Sequence, residues 1–207
     1  MKNIRNNIAA IDREIEWFSQ LLNTRFNNYF SNEAAAEIPS APMLLPEESA
    51  YENFVISNEL SDLERTILIL VIIPHFKPKA LDIFFTKNAN FDLPFTEFGG
   101  LSGRYYNGFL PTIETANFIL FGGDVLMRHQ VIEMFSPGGK LIAEDIVRLG
   151  EFQDDNNEPF FSRSITLNDV YRDFFSTVER ICPESLEVFP ANKFETHKSW
   201  SDLVRED

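Results

Sequence analysis

Gly99, Gly100, Gly103 and Gly108 crowd into one stretch, FTEFGGLSGRYYNGFLPT (Phe95 to Thr112), directly ahead of a helix-like run. Glycines before a helix let backbone N–H groups wrap a phosphate, so nucleotide binding is the first chemistry to test. A P-loop also needs a lysine and a Ser or Thr after its last glycine, because the ammonium and a magnesium-bound hydroxyl neutralise the phosphates. Gly103 and Gly108 have the right separation, but Phe109 and Leu110 follow. The later SPGGK has Lys140 without the upstream glycine, and Leu141 stands where the hydroxyl belongs. No G-x-G-x-x-G follows a strand. Ser102 misses a nucleophile elbow because Arg104 occupies the last glycine position. The glycines are therefore read as turn formers. Gly99, Gly100, Gly103 and Gly108 are expected to take positive φ and bring Phe95, Phe98 and Phe109 onto the core. Arg104, Tyr105 and Tyr106 lie at the middle of this loop, and Arg and Tyr often carry binding energy at interfaces, so the tip is predicted to be a protein-docking patch.

Other reactive side chains form weaker patterns. His75, His129 and His197 lack the i, i+4 pairing of a zinc-protease helix. DDNNE (Asp154 to Glu158) lacks the glycine and the terminal glutamate of a calcium loop. Cys182 stands beside Pro183 with no local group to lower its pKa. Asp82, Glu97, Glu114 and Asp124 would form a catalytic carboxylate pair only if the fold gathered them; Glu114 and Asp124 also sit where helix caps belong. The expectation is a non-enzymatic chain with no cofactor and no metal of its own.

Composition narrows the class of partner. The 207 residues carry 21 phenylalanines and a formal charge of −14, from 32 acidic against 18 basic side chains. Such a field repels phosphate backbones and disfavours nucleic acid. One cysteine cannot form an internal disulfide, and MKNIRNNIAAIDRE lacks a secretion signal's apolar stretch, so a cytoplasmic location is expected. The longest apolar run, ILILVII (Ile67 to Ile73), is far below the roughly twenty residues of a bilayer-spanning helix. It reads as a buried core helix, and no membrane partner is expected.

The elements that must position these residues follow from spacing. Ile4, Ile8, Ile11, Ile15, Phe18, Leu22, Phe26 and Phe30 recur by threes and fours and predict a long amphipathic helix over residues 1–30. Its stripe packs either on its own domain or on another subunit, which makes a homo-oligomer through this helix one expectation. Residues 31–50, with three prolines, read as a linker. A compact domain is predicted over 51–181. SDLE at Ser61 fits a capping box, Pro74 is expected to end that helix, and Pro78 to start the next. Thr112 and Asp124 are predicted caps for two consecutive helices joined by Gly122 and Gly123. KLIAEDIVRL and FFSRSI read as strands around an acidic loop, and a last helix is expected from Leu167 to about Val178 behind Thr166. A helix pair followed by a hairpin is a winged-helix arrangement. The fold class is therefore a mostly helical α+β protein, with a winged-helix-like domain behind a long amphipathic helix. Residues 182–207 form a C-terminal connector with SLEVFP as a short strand. The second helix of the pair, with Arg128 and His129 near Glu133, is poorly equipped to read a major groove.

The series PHFKPKALDIFFTKN, FTEFGG, GFLPTIETANFILFGGD and RHQVIEMF resembles the amino-terminal winged-helix region of AAA-type ATPases associated with bacterial contractile injection systems, the phage-tail-like particles. The resemblance covers roughly residues 60–149. It rests on Pro74, Pro78, Leu81, Asp82, Phe85, Thr96 to Gly100, Gly108 to Thr112, Glu114 and Thr115, and more weakly on FETHKSWSDLV, which looks like the connector before the ATPase module. No Walker A, Walker B or arginine finger follows within the 207 residues. The resemblance thus implies an accessory, protein-interacting domain cut from or split off a longer ATPase, with ATP and magnesium belonging to the parent module. The partners it implies are that module and tail or sheath components. The alternative is a winged-helix DNA-binding regulator; an enzyme with a dispersed carboxylate site ranks third.

Overall fold

The computed structural model describes residues 2–31, 34–45, 49–151 and 158–177. Helix α1 (Lys2–Phe30) buries Ile11, Ile15, Phe18, Leu22 and Phe26 along one face, the spacing that 3.6 residues per turn demands. That face packs on α2 (Ala50–Ser57), α3 (Asp62–Phe76), α4 (Ile113–Phe121) and α7 (Asp169–Thr177) of the same chain. Of the two placements expected for the stripe, on its own domain or on another subunit, it takes the first. An isolated helix is marginal in water and draws its stability from burying its apolar face, and here that face closes the chain's own core.

Residues 34–45 have no regular structure, as Pro39 and Pro42 dictate, yet they are tied down as a strap. Asn28 brackets Ala36, its Nδ2 donating to the carbonyl at 2.9 Å and its Oδ1 accepting from the N–H at 2.8 Å. Trp17 Nε1 donates to Pro39 O at 3.0 Å, and Arg65 Nη2 to Pro42 O at 2.8 Å. A strap without internal hydrogen bonds needs such side-chain partners for its backbone.

Helix α3 starts at the predicted capping box of Ser61 and Glu64, and Ile67 to Ile73 are all buried. Pro74 does not end it. A proline loses its own bond to the carbonyl four residues back and crowds that carbonyl, but both effects fall on the turn before it, so the last turn continues to Phe76 and closes with Lys77 N on Ile73 O at 2.9 Å. Pro78 does open a helical segment, a 3-10 helix over Pro78–Phe85. Two short hairpins follow, β1 (Lys87–Asn88) with β2 (Leu93–Pro94) and β3 (Leu101–Ser102) with β4 (Phe109–Leu110).

Helix α4 is capped by Thr112 and Thr115 and stopped by Gly122 in the left-handed region, while Arg25 of α1 donates to the carbonyls of Ile119 and Leu120 at its C-terminus. Asp124 accepts from Leu126 N at 2.9 Å and caps the 3-10 turn Val125–Met127 that leads into α5 (Arg128–Met134). The predicted strand KLIAEDIVRL forms only in its second half. Lys140–Ala143 is the short helix α6, because Gly139 starts a new turn and accepts from Ala143 N at 2.8 Å, and the strand β5 is Val147–Leu149. Likewise FFSRSI begins with a 3-10 turn, Phe160–Ser162 behind Pro159, and the strand β6 is Ile165–Leu167. β5 and β6 pair antiparallel, Arg148 opposite Thr166. On the other edge of β6, Ile165 N donates to Pro111 O and Ile113 N to Arg163 O, both at 3.0 Å. The last helix, α7, is capped by Asn168 rather than Thr166, since Asn168 Oδ1 accepts from Val170 N.

The molecule is thus mostly helical with small antiparallel sheets. One group of its phenylalanines meets where α1, α4 and the glycine loop converge: the Phe98 ring lies 4.7 Å from those of Phe26 and Phe118. No helix among the described residues is long and apolar enough to cross a membrane. The acidic loop tip, Cys182, SLEVFP and the connector lie outside the described residues.

Candidate functional site

The glycine loop is built from its aromatic anchors outward. Phe98 and Phe109 are buried and Phe95 is half-buried against Tyr29, Phe30 and Phe98, as expected. Gly99 has φ +58°, and a Cβ there would press on Thr112 Oγ1, on Glu114 Cβ and on Thr115 N, the latter two at 2.9 Å. Gly100, at φ +88°, lies under the Phe109 ring and donates its N–H to Thr112 Oγ1 at 3.1 Å. Thr115 Oγ1 in turn donates to Phe98 O at 2.9 Å, so the capping box of α4 also pins the loop. Gly103 and Gly108 depart from the expectation of positive φ. What they provide is room: Tyr106 folds back so that its Cβ is 3.1 Å from a Cβ built at Gly103 and its ring covers Gly108.

That fold-back divides the predicted docking residues. Arg104 and Tyr105 are exposed, with the guanidinium 5.4 Å from the Tyr105 ring centroid. Tyr106 is half-buried with its hydroxyl enclosed, and burial followed by the charge of Asp82 raises its pKa above the ordinary tyrosine value. Around this loop, Phe91 (72% exposed), Leu93 and Phe85 also face outward.

The second helix of the predicted pair presents an unexpected surface. Arg128, its only arginine, lies in a bidentate pair with Glu114, Nη1 and Nη2 each 2.7 Å from a carboxylate oxygen. Its guanidinium also stacks 3.8 Å from the Phe161 centroid. The Glu114 hydrogen bonds raise its pKa and hold the cation inward. Outward point Val125 and Leu126, 76% and 79% exposed, and Ile132. His129 Nδ1 lies 2.6 Å from Leu126 O. Leu126, His129 and Ile132 are three residues apart, so they share one face.

A third cluster escaped the sequence reading. Glu14 on α1 and Arg65 on α3 are both buried, with Arg65 Nε donating to Glu14 Oε2 at 2.9 Å and Nη2 to Oε1. Tyr51 OH donates to Glu14 Oε2 at 3.2 Å, and Trp17 covers the guanidinium at 5.6 Å. Burial lowers the Arg65 pKa, but the hydrogen bonds and charge of Glu14 outweigh it and leave the group raised. Burial, then the charge of Glu14, push Tyr51 well above its ordinary value. Beside this cluster Glu52 accepts from Ser49 Oγ at 2.9 Å, Leu45 N at 3.2 Å and Arg13. The detectable signal was a lone acid inside the apolar stripe between Ile11 and Ile15, and a lone base beside the apolar run of α3. Every member of the set binds another element, so its chemistry is that of a clasp.

The remaining candidates stay apart. Asp82 neighbours Tyr106, Glu97 hydrogen-bonds Tyr29 and raises its pKa after burial does, Glu114 holds Arg128, and Asp124 caps. Among the described residues no three His, Cys, Asp or Glu side chains converge to hold a metal; His197 is not among them. A cleft of ≈ 380 Å³ opens between the start of α3, α5 and α6, with Ile67, Met134 and Leu141 in its lining and Glu64 and Glu133 beside them. No family model, curated protein or solved structure matches this chain.

Proposed function

We propose that this chain is a non-catalytic protein-interaction domain on a winged-helix-like plan, the accessory domain of an AAA-type ATPase that acts with a bacterial contractile injection apparatus. The order of elements supports the plan. After α3 and the inserted 3-10 helix and hairpins, the chain runs through residues 111–112 into α4 and α5, and then through α6 into β5 and β6, with residues 111–113 hydrogen-bonded along the outer edge of β6. In such a plan α5 takes the place of the recognition helix. The observation that carries the reading is the state of that helix and of the 3-10 turn leading into it: Arg128 is held by Glu114 and Phe161 while Val125 and Leu126 of the turn and Ile132 of the helix face solvent. A groove reader needs free donors for bases and phosphates, whereas an exposed apolar face beside acidic Asp124 and Glu133 suits a protein. The link to an ATPase rests on the resemblance of residues 60–149, and a cytoplasmic location follows from it.

The test is reconstitution with the AAA-type module encoded in the same gene neighbourhood. Binding is expected, and Leu126→Asp with Ile132→Asp should weaken it at least about tenfold, the cost of losing central contacts. Calorimetry of the isolated chain with Mg-ATP should register no heat of binding. Sequence-selective retardation of duplex DNA by this chain, abolished by Arg128→Ala, would replace the reading with that of a regulator.

A further inference from the structure

We infer that the Arg104–Tyr105 tip of one copy of this chain docks into the cleft between α3, α5 and α6 of a second copy, head to tail. Tyr105, at 90%, is the most exposed large apolar or aromatic side chain among the described residues. Arg104 lies against its ring, and among the described residues no carboxylate comes within ion-pair distance of that guanidinium. The tip is a knob with an aromatic body and an unpaired positive charge.

The cleft has the complementary character. Met134 gives it apolar surface over the buried Ile67 and Leu141, and Glu64 and Glu133 give it negative charge. Glu64 Oε2 accepts from Ser61 in the helix cap, which leaves Oε1 open, and Glu133 has no cation partner among the described residues. Lys140 is the cation in the lining, and its ammonium is drawn to the backbone just past α2, donating to Asn58 O and Glu59 O at 3.0 Å each, which leaves two carboxylates to one cation in the lining. At ≈ 380 Å³ the cleft has room for a tyrosine ring with a guanidinium at its mouth.

The tip of the same copy is rooted away from the cleft, so a tip that enters it is supplied by a second copy. Glu64 and Ile67 belong to the first two turns of α3, whereas the base of the tip's hairpin, Leu110 and Pro111, lines a groove with Pro74 and His75 in its last turn. Eleven residues of helix separate Glu64 from His75, a rise of roughly 17 Å, and the tip extends from the far end. A knob and hole at opposite ends of one rigid helix form a heterologous contact, which repeats from copy to copy.

Sedimentation velocity of the purified chain over a concentration series tests this. The weight-average mass should rise with concentration, with a dissociation constant on the order of 10⁻⁵ to 10⁻⁴ M for so small a contact. Tyr105→Ser and Glu133→Lys, both at exposed positions, should each weaken self-association at least about tenfold while leaving the melting temperature in place. A mixture of the two variants should form pairs that grow no further, because only one intact knob and one intact hole remain between them. Arg104→Glu combined with Glu133→Lys in one chain should restore association relative to either alone. A wild-type chain monomeric at about 1 mM, self-association that neither variant alters, or a mixture that stays monomeric would each overturn the proposal. Tyr105→Ser leaves Leu126, Ile132 and Glu133 untouched, so the outcome for that variant is independent of the ATPase-docking reading, whereas Glu133→Lys also alters the docking face. A failure of self-association in wild type and Tyr105→Ser alike leaves the ATPase-docking reading standing.

Discussion

Beneath the strap, the side chains of Glu14 and Arg65 are 2% and 5% exposed and grip each other from two helices, while on the turn before α5 and the loop tip Leu126 and Tyr105 stand almost wholly in water. The α1, α2 and α3 region has buried its charges and the α5 and glycine-loop region displays its hydrocarbon, an inversion of the usual distribution in both places. Each inversion has a physical consequence. A buried ion pair contributes little net stability over an apolar substitute but makes any other arrangement of those helices costly, so it fixes how α1, α3 and the strap meet. Exposed apolar residues contribute nothing to the isolated fold and gain only when something covers them. The first region should therefore respond to mutation in stability, the second in association.

The largest effect is expected at the clasp. Glu14→Ala strands the Arg65 guanidinium in the core and should cost about 3–5 kcal/mol in urea unfolding, whereas Glu14→Leu with Arg65→Met should recover most of it. A single-mutant cost below about 1 kcal/mol would erase the distinction between the regions. The loop anchor comes next. Gly99→Val imposes both a positive φ and an overlap with Thr112 and Thr115, for about 2–4 kcal/mol. At Gly123, with φ +88° but nothing within 4 Å of a Cβ, alanine carries the backbone strain alone and should cost about 1–2 kcal/mol.

A smaller effect sharpens the comparison through pH. The folded pKa of Tyr51 is raised above the reference value of 10.0, so the folded state holds that proton more tightly than the unfolded state does. This contribution is complete below pH 10 and is lost as pH rises further, so alkaline melts of the wild type should fall more steeply than those of Tyr51→Phe. Parallel alkaline limbs would mean that Tyr51 is not enclosed beside Glu14. The smallest effect belongs to the exposed face: Leu126→Asp with Ile132→Asp should change unfolding free energy by no more than about 0.5 kcal/mol per site. A larger loss would show that this face already has a partner within the chain.

Local signals were legible wherever the responsible groups are sequence neighbours. The Ser61 and Glu64 box, the Thr112 cap, the stop at Gly122 and Gly123 and the buried run of α3 all appear where spacing put them. Pro74 was misread because a proline near a helix end obstructs only the turn before it. KLIAEDIVRL was misread because its apolar residues suit either period, and the N–H and C=O groups of Gly139 decided between them. Gly103 and Gly108 lack the positive φ that the glycine pattern suggests, and the demand for a small residue comes instead from the folded-back Tyr106, whose ring covers Gly108.

By itself, the sequence determined the mostly helical class, the stripe of α1, the caps, and the phenylalanines that would meet in a core, because each depends on residues within a few positions of one another. Tertiary structure alone decided that α1 closes its own domain, that Glu14 meets Arg65 across 51 positions, and that Arg128 turns inward to Glu114 and Phe161. It also decided that Tyr106 folds under while Tyr105 stays out. Adjacent tyrosines in a loop have no period to separate them, and a charge on a helix carries no local mark of the partner that will neutralise it. Those outcomes are set by which surfaces pack, and packing is settled by the whole chain at once.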